Sequence, residues 1–419
     1  MNPDRRISRA IFLAALSLHL SPAVAVRPDY IVRQEAKAAF DKYEGLPMHR
    51  AFAHSPDGGY GYVSSRPNDF QARRGALAFC EDNRPTGAAF CQIVSVGTST
   101  ISPEEFSANS KRGYNDALGK KLSFYRLVTT KEFAKAQAVL DAPAQSAAGS
   151  SDNDQSSELL SVLEQIPLDR GQEILDPWVA SSPKFWGAYA ARATFTLKSA
   201  WKERGEKFSR QIAPERRARV AAMVQAAKVD LREALLLNER CLICYSLMIS
   251  SSKLDGNSIE AKAMLDRGRK YFPNSSTLVN DYLDNFQPAW GGSERAMDEL
   301  VQQAKAWLPA EKSKWVTAHR EYLRGFWAVS ERAQERAFEE SLRLADHHSA
   351  AIRLAEIKRS QGNFTEMLQL MNRDLMSDPW DRYALELKAI ALEKLNRSDE
   401  HDSTIDKLFE LNRRERKGE

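Results

Sequence analysis

The feature that most constrains this fold is a nearly unbroken series of amphipathic helical patterns from about residue 158 to the C-terminus. Apolar residues recur there at spacings of three and four, as they do at Val220, Val224, Ala227, Leu231 and Leu235. This spacing places them on one face of a helix. No segment beyond residue 160 has the composition and alternation of a convincing strand. The sequence therefore predicts a large all-α region at 158–419.

The breaks between these helical patterns recur with a period near 34 residues. Asn238 precedes Pro273 by 35 residues, and Gly362 precedes Asn396 by 34. A period of this length with two helices in each unit is typical of tetratricopeptide repeats. One helix pair cannot bury its own apolar face, so pairs stack into an α-solenoid. We therefore expect a tetratricopeptide-like α-solenoid, with a plain helical bundle as the alternative.

The N-terminus has the pattern of a targeting segment. Three arginines precede an apolar run at 11–20, and Ala23-Val24-Ala25 provides a small-x-small cleavage pattern. The apolar run is too short to span a membrane, and no later stretch is long and apolar enough to do so. The sequence predicts a signal peptide at 1–25, a mature chain that begins at Val26, and a bacterial protein that is periplasmic or secreted.

The segment 26–140 predicts a small α/β module, which makes the chain α+β overall. Two short alternating runs at 51–54 and 60–64 flank Asp57-Gly58, a strong hairpin signal. A helix at 69–79 and a third strand at 91–96 follow. Residues 122–128 have strand composition and are a candidate edge strand. The segment 141–157 is small, polar and without periodicity, so we expect a flexible linker there.

The chain has four cysteines, and an oxidising compartment favours disulfides over catalytic thiols. We expect Cys80 to pair with Cys91 inside the module, with neither crossing to Cys241 or Cys244. Cys241 and Cys244 form a Cys-x-x-Cys at the start of a predicted helix. A structural disulfide or two buried thiols is the favoured interpretation there, and a redox couple is the alternative.

Motifs in the module resemble those of a small bacterial secreted repeat that contains an SPDG sequence and two cysteines. The segments that carry the resemblance are 51–62, 72–80 and 91–96, about fifty residues in all. The resemblance implies no established activity.

Residues 175–309 resemble a bacterial family of unknown function. The segments that carry this resemblance are 178–185, 200–205, 231–237, 245–249 and the P-x-WGGS motif at 288–293. The resemblance implies a tetratricopeptide-like helical fold and supplies no catalytic residues. Its characteristic side chains, which we expect to be structural, are Trp178, Trp201, Pro288, Trp290, Gly291 and Gly292.

Charge and motif spacing restrict the possible functions. The formal charge of the chain is +4, and the mature chain, without three Arg and one Asp of the first 25 residues, carries +2. This near neutrality argues against a nucleic-acid-binding protein. Asp346-His347-His348 resembles a capping turn, and its interpretation as a metal site lacks a partner at helical spacing. We therefore predict no catalytic, cofactor-binding or metal-ligating residue.

The predicted function is a periplasmic or secreted helical-repeat module that binds an unidentified protein or peptide. The eight tryptophans are expected to pack in the core and between repeats, although a groove lined by two or three of them is the alternative. The alternative function is an envelope enzyme or thiol oxidoreductase that uses Cys241 and Cys244 or the N-terminal module. Exposed aromatic residues along one face would favour binding, and a pocket with converging ionisable groups would favour an enzyme.

Overall fold

The computed structural model describes residues 28–66, 69–85, 88–89, 91–100, 102–103, 117–146, 155–205 and 211–417. The predicted signal peptide at 1–25 lies outside the described residues. The chain divides into two compact units, Met1–Gly113 and Tyr114–Glu419.

In its described residues, the first unit is a four-stranded antiparallel sheet with the helices α1 and α2. Its elements, in chain order, are α1 (Gln34–Glu44), β1 (Ala51–His54), β2 (Tyr60–Val63), α2 (Asp69–Asn83), β3 (Gln92–Val96) and β4 (Ser99–Thr100). The strands lie in the order β2-β1-β3-β4. The predicted hairpin is confirmed, and Gly58 supplies a positive φ of 119° at its turn.

Strand β1 is buried along its whole length because both faces of the sheet are covered. Phe52 packs with Phe40 and Tyr43 of α1 in one apolar cluster. Ala51 and Ala53, which point to the opposite face, belong to a second cluster with residues of α2. The unit therefore has two small cores, one on each side of a single sheet.

The second unit is helical throughout its described residues. The helices are α3 (Ala117–Thr129), α4 (Phe133–Ser146), α5 (Gln155–Ser161), α6 (Gly171–Ser181), α7 (Trp186–Arg204), α8 (Pro214–Leu237), α9 (Leu242–Asp255), α10 (Ser258–Tyr271), α11 (Ser276–Leu283), α12 (Glu294–Lys305), α13 (Ala310–Trp327), α14 (Glu331–Leu344), α15 (His348–Ser360), α16 (Phe364–Ser377), α17 (Arg382–Lys394) and α18 (Ser398–Lys417). Short 3-10 segments follow α5 and α11.

Consecutive helices in this unit pack on one another as pairs, and alternate helices also touch. Helix α9 contacts both α7 and α11, α11 also contacts α13, and α15 contacts α17 in the same way. One continuous core extends from Phe124 to Leu323, and a second cluster extends from Phe338 to Leu392. This stacking of helix pairs is the α-solenoid architecture that the sequence predicts.

Two of the turns inside these helix pairs share the sequence Gly-Asn. Gly256 and Gly362 end their helices with φ of 75° and 72°, a left-handed conformation that glycine adopts without strain. Asn257 and Asn363 then cap the next helices by accepting a hydrogen bond from the backbone N–H three residues on. Each turn therefore stops one helix and starts the other with two residues.

A buried lysine binds the glutamate that follows each of these turns. The Lys228 ammonium lies 2.7 Å from a carboxylate oxygen of Glu260, and the Lys358 ammonium lies 2.6 Å from Glu366. Both lysine side chains are buried, so the lost hydration is offset only while the carboxylates stay in place. These ion pairs fix the position of each second helix against its neighbours.

The structure corrects the interpretation of residues 117–140, which the sequence assigned to the N-terminal module. The candidate edge strand at 122–128 lies inside α3, where Phe124 and Leu127 belong to the same core as Trp178 of α6. Strand propensity depends on how well a side chain packs against its neighbours. Here the apolar neighbours of the segment lie on other helices, and the segment packs against them as a helix. The helices α3 and α4 therefore belong to the second unit.

The linker predicted at 141–157 was wrong at both ends. Residues 141–146 complete α4, and residues 155–157 begin α5. Residues 147–154 lie outside the described part of the chain. Ala142, Ala144 and Gln145 have high helix propensity and favour continuation of α4 past residue 140, although the helix also contains Pro143.

Candidate functional site

The cysteines pair as the sequence predicts, within each unit and not between units. The sulfurs of Cys80 and Cys91 lie 1.99 Å apart, at bonding distance, and join the end of α2 to the start of β3. Those of Cys241 and Cys244 lie 1.97 Å apart across the first turn of α9. Both residues of the second pair are fully buried. A redox couple needs access to its thiol substrate, so this burial supports a structural role.

The predicted structural tryptophans occupy two different environments. Trp178 is completely buried, and its ring stacks on Phe133 at a centroid distance of 5.5 Å. Trp290 is only half-buried and meets the edge of Trp201 at 5.7 Å, with the guanidinium of Arg204 over its ring. Packing of α7 against the 288–290 turn therefore depends on a ring that water still reaches.

The glycines of the P-x-WGGS motif allow that turn to close. Gly291 has a φ of 86°, and a β-carbon on Gly292 would lie 2.0 Å from the carbonyl oxygen of Phe286. Pro288 begins the short 3-10 segment that carries Trp290. Any side chain at Gly292 would push the backbone apart, which explains why this position is glycine.

An aromatic stripe lies along one side of α13. Trp315, His319, Tyr322 and Phe326 follow one another at spacings of four, three and four residues, which places them on one face of the helix. The rings of Trp315 and Tyr322 lie 5.6 and 4.8 Å from that of His347, just before α15. The two ends of the stripe are exposed, at 39% for Trp315 and 43% for Phe326. Trp315 and Trp327, which is 37% exposed, therefore depart from the expectation that the tryptophans pack in the core and between repeats.

The middle of the stripe is anchored by a chain of hydrogen bonds. Nδ1 of His347 accepts a bond from the backbone N–H of Ala350 at 3.3 Å, so His347 caps α15 as predicted for this turn. His347 Nε2 and His319 Nδ1 lie 3.1 Å apart, and His319 Nε2 lies 2.8 Å from a carboxylate oxygen of Asp284. One tautomer satisfies every bond, with both imidazoles neutral and protonated on Nε2.

The electrostatics around His347 agree with a neutral imidazole at this position. Burial is the main cause and the neighbouring His319 a smaller one of the lowered pKa of His347, which is about 3. Burial alone would raise the pKa of Asp284, but hydrogen bonds from His319 and Lys253 leave it below its usual value. These hydrogen bonds therefore hold the stripe in place at neutral pH, and His347 carries no buried positive charge there.

Exposed side chains continue from the stripe across the alternate helices α15 and α17. The guanidinium of Arg353 lies 5.8 Å from the ring of Phe326 and 2.9 Å from Glu356. The hydroxyl of Tyr383 lies 2.6 Å from the same glutamate, and that hydrogen bond raises the pKa of Tyr383. We call Trp315, Phe326, Arg353, Glu356 and Tyr383 the aromatic face.

A cavity of about 320 Å³ opens within the aromatic face. Phe326, Phe338 and Ile357 supply apolar lining, and the polar groups beside it come from Gln334, Arg353, Glu356 and Ser360. Apolar surface combined with fixed polar groups is a usual composition of a binding pocket. The i, i+4, i+7 and i+11 spacing on α13 is visible in the sequence, but its exposure depends on how α15 packs.

A second cavity, of about 330 Å³, lies where α14 and α16 end and α15 and α17 begin. Nδ1 of His348 lies 3.0 Å from Asp374, and Nε2 lies 3.9 Å from Asp381. The hydrogen bond with Asp374 raises the pKa of His348. Asp346 also lines this cavity and accepts a 2.7 Å hydrogen bond from Arg373.

This second cavity changes the interpretation of the sequence around His348. The metal interpretation lacked a partner at helical spacing, yet the fold brings carboxylates from positions 26 and 33 residues further along the chain. The signal was absent from the local sequence because the partners lie on other helices.

Among the described residues, no helix has the length and apolar composition needed to cross a membrane. No family model and no curated protein sequence matches the chain. Both family resemblances therefore remain predictions.

Several solved structures of helical-repeat type are similar to this chain. The APC/C Cut9–Hcn1 hetero-tetramer matches at 12% identity with a TM-score of 0.32, and the match covers 74% of this chain and 57% of that one. The human IFIT1 dimer with PPP-AAAA matches at 12% identity and a TM-score of 0.31, covering 74% and 88%. Yeast Tom70 matches at 13% identity and a TM-score of 0.28, covering 73% and 67%.

Proposed function

We propose that this chain is an exported helical-repeat protein that binds an extended peptide segment across its aromatic face. The observation that carries the proposal is the exposure of Trp315 and Phe326 on α13 and of Tyr383 on α17. Large exposed aromatic side chains lose solvent contact when a partner binds, and they give up little conformational freedom in doing so.

The cavity beside Phe326 defines the chemistry of the segment. Its apolar lining from Phe338 and Ile357 suits one large apolar side chain of the partner. Burial of such a side chain contributes about 1.5–3 kcal/mol. Arg353 and Glu356 flank the cavity and offer a donor and an acceptor to the peptide backbone. The partner is thus a peptide with an apolar anchor residue between polar neighbours.

The proposal is tested by selection from a displayed library of random dodecapeptides, with affinities of the selected peptides measured by fluorescence polarisation. Phe326→Ala is expected to weaken binding at least tenfold, which corresponds to about 1.4 kcal/mol. Phe409→Ala is the matched control, because Phe409 of α18 is similarly exposed, at 45%, and lies outside the aromatic face. Equal losses in both variants, or no enrichment of any peptide, would contradict the proposal.

Export is the second part of the proposal and rests on the pattern of residues 1–25 and on the two disulfides. Mass spectrometry of the protein from a bacterial periplasmic fraction is expected to give a mature chain that starts at Val26. A chain that still begins at Met1 and stays in the cytoplasm would overturn this part alone.

One form of the alternative function, a thiol oxidoreductase, would use Cys241 and Cys244. Their complete burial argues against it, because thiol exchange requires a sulfur that a partner can reach. An insulin reduction assay at neutral pH is expected to give no activity above that of the Cys241→Ala/Cys244→Ala variant.

A further inference from the structure

We propose that His348, Asp374 and Asp381 form a binding site for one divalent transition-metal ion, with Zn²⁺ as the preferred ion. One ligand atom from each of the three side chains lies within 4.8 Å of the other two. Imidazole nitrogen and carboxylate oxygen are both ordinary zinc ligands. The site shares no residue with the aromatic face, so it stands independently of the proposed peptide binding.

Two of the three ligands are held in place by the fold. Asp374 lies in the last turn of α16, and its side chain is only 6% exposed. Asp381 is the N-cap of α17 and accepts a 2.6 Å hydrogen bond from the backbone N–H of Ala384. One oxygen of the Asp381 carboxylate accepts that bond, which leaves the other to bind a metal. A site with preset carboxylates needs little reorganisation when the ion arrives.

The third ligand has the freedom to complete the coordination. His348 is the first residue of α15, and its side chain is 53% exposed. Zinc bonds of about 2.0–2.2 Å place tetrahedral ligand atoms roughly 3.4 Å apart. The ligand atoms lie within 4.8 Å of one another, so the imidazole and the carboxylates must move closer together when the ion binds.

The charges around the cavity favour a cation. Four aspartates line it, at positions 346, 374, 378 and 381, against one arginine and two histidines, His347 and His348. The arginine, Arg373, is paired with Asp346. A divalent ion would balance the carboxylates of Asp374 and Asp381 more fully than the single hydrogen-bonded imidazole does.

Three protein ligands leave one position of a tetrahedral ion open. The ligands line a cavity of about 330 Å³, which has room for water or for a donor atom of a small ligand. Closed structural zinc sites use four protein ligands, so this arrangement is of the open kind. We infer an exchangeable site, whose occupancy depends on the available metal.

The test uses the full mature chain without an affinity tag, stripped with EDTA and titrated with Co²⁺ by visible absorption and with Zn²⁺ by calorimetry. One equivalent of each ion is expected to bind. His348→Gln and Asp381→Asn are expected to weaken binding at least 10–100-fold. Asparagine is itself a good N-cap, so Asp381→Asn removes the charge and keeps α17 capped.

His401→Gln provides the matched control. His401 of α18 lies 3.3 Å from Asp402, which gives a histidine–aspartate pair outside the three-ligand cluster. This variant is expected to bind one equivalent with unchanged affinity. Binding that survives in His348→Gln, binding lost equally in His401→Gln, or no binding to the unaltered chain would each overturn the proposal. Circular dichroism of each variant confirms that the helices remain folded.

Discussion

The two units of this protein bury their apolar residues in different ways. The N-terminal unit covers one sheet with a helix on each face and so divides its few large side chains between two small cores. The helical unit joins helix after helix to a core that continues from Phe124 to Leu323. In the first unit the strand β1 pairs with its neighbour β2 and also with the more distant β3, whereas in the second most contacts form between neighbouring helices.

This difference explains what each disulfide does. Cys80 and Cys91 are separated by 11 positions and join two elements of the small unit. Cys241 and Cys244 are separated by three positions and close a single helical turn. Small cores gain most from cross-links, because they supply little stabilisation of their own. We infer that the first bond contributes to the stability of its unit and that the second mainly shapes a helix start.

The largest expected effect comes from deleting a core side chain of the helical unit, which tests whether the two units differ in their loss of stability. Trp178→Ala removes a completely buried ring that stacks on Phe133, and it should destabilise the helical unit by about 3–5 kcal/mol. The N-terminal unit should keep its stability. Hydrogen exchange read separately in α6 and β1 measures both quantities, and equal losses would show that the units unfold together.

The next prediction tests whether the two disulfides contribute unequally to stability. Replacing Cys80 and Cys91 with Ala should cost the N-terminal unit about 3 kcal/mol, whereas the same change at Cys241 and Cys244 should cost about half as much. Chemical denaturation followed by hydrogen exchange in each unit gives the two values. Peptide mapping without reductant provides the control, since a link from Cys80 to Cys241 would remove the basis of the comparison.

A smaller effect is expected from Trp290→Ala. Full burial would predict a loss near that of Trp178→Ala, but the Trp290 ring is half-buried against Trp201, so we expect about 2 kcal/mol. Thermal unfolding by circular dichroism measures the change. If the stability is unchanged while peptide binding is lost, Trp290 is a contact residue and its structural assignment fails.

The smallest effect concerns pH within the helical unit. Burial raises the pKa of Asp281 to about 6, although a hydrogen bond from Ser246 opposes the shift. The folded state therefore binds a proton that the unfolded state does not, and acidification from pH 7 to 5 should contribute about 1 kcal/mol of stability through this group. Asp281→Asn removes this contribution.

His347 acts in the opposite direction over the same pH range. Its lowered pKa means that the unfolded state takes up a proton first, so the folded state loses stability as the pH falls below about 6.5. The quantity to measure is thus the difference in the free energy of unfolding between Asp281→Asn and the unaltered chain. Urea unfolding at pH 5 and at pH 7 gives this difference. A difference that does not change with pH would contradict the raised pKa of Asp281.

Much of the architecture follows from local sequence patterns. The hairpin at Asp57-Gly58 and the amphipathic helices rest on signals within a few residues of one another, and the structure has both. The segment 122–128 was misassigned because its aromatic and branched residues suit a strand or a buried helix equally well. Its partner, Trp178, lies about fifty residues further along the chain.

The candidate sites were less accessible from the sequence for the same reason. The stripe on α13 has a recognisable spacing, but the sequence does not show that Trp315 and Phe326 remain exposed while Tyr322 is partly covered. The carboxylates near His348 come from two other helices. Sites assembled by packing between repeats depend on the stacking angle of helices, which a single sequence specifies only indirectly.

The two Gly-Asn turns have a consequence for how such a chain can grow. Each turn contains its own helix stop and helix start, and the glutamate that follows it binds a lysine from a nearby helix. A segment that begins at one of these turns therefore includes the residues that end one helix and start the next. If such a segment is copied by a tandem duplication, the new pair has a defined turn from the outset and needs only an apolar face to dock. A single duplication can thus lengthen the array by a whole helix pair. The described part of the N-terminal sheet contains no comparable segment that could be duplicated in this way.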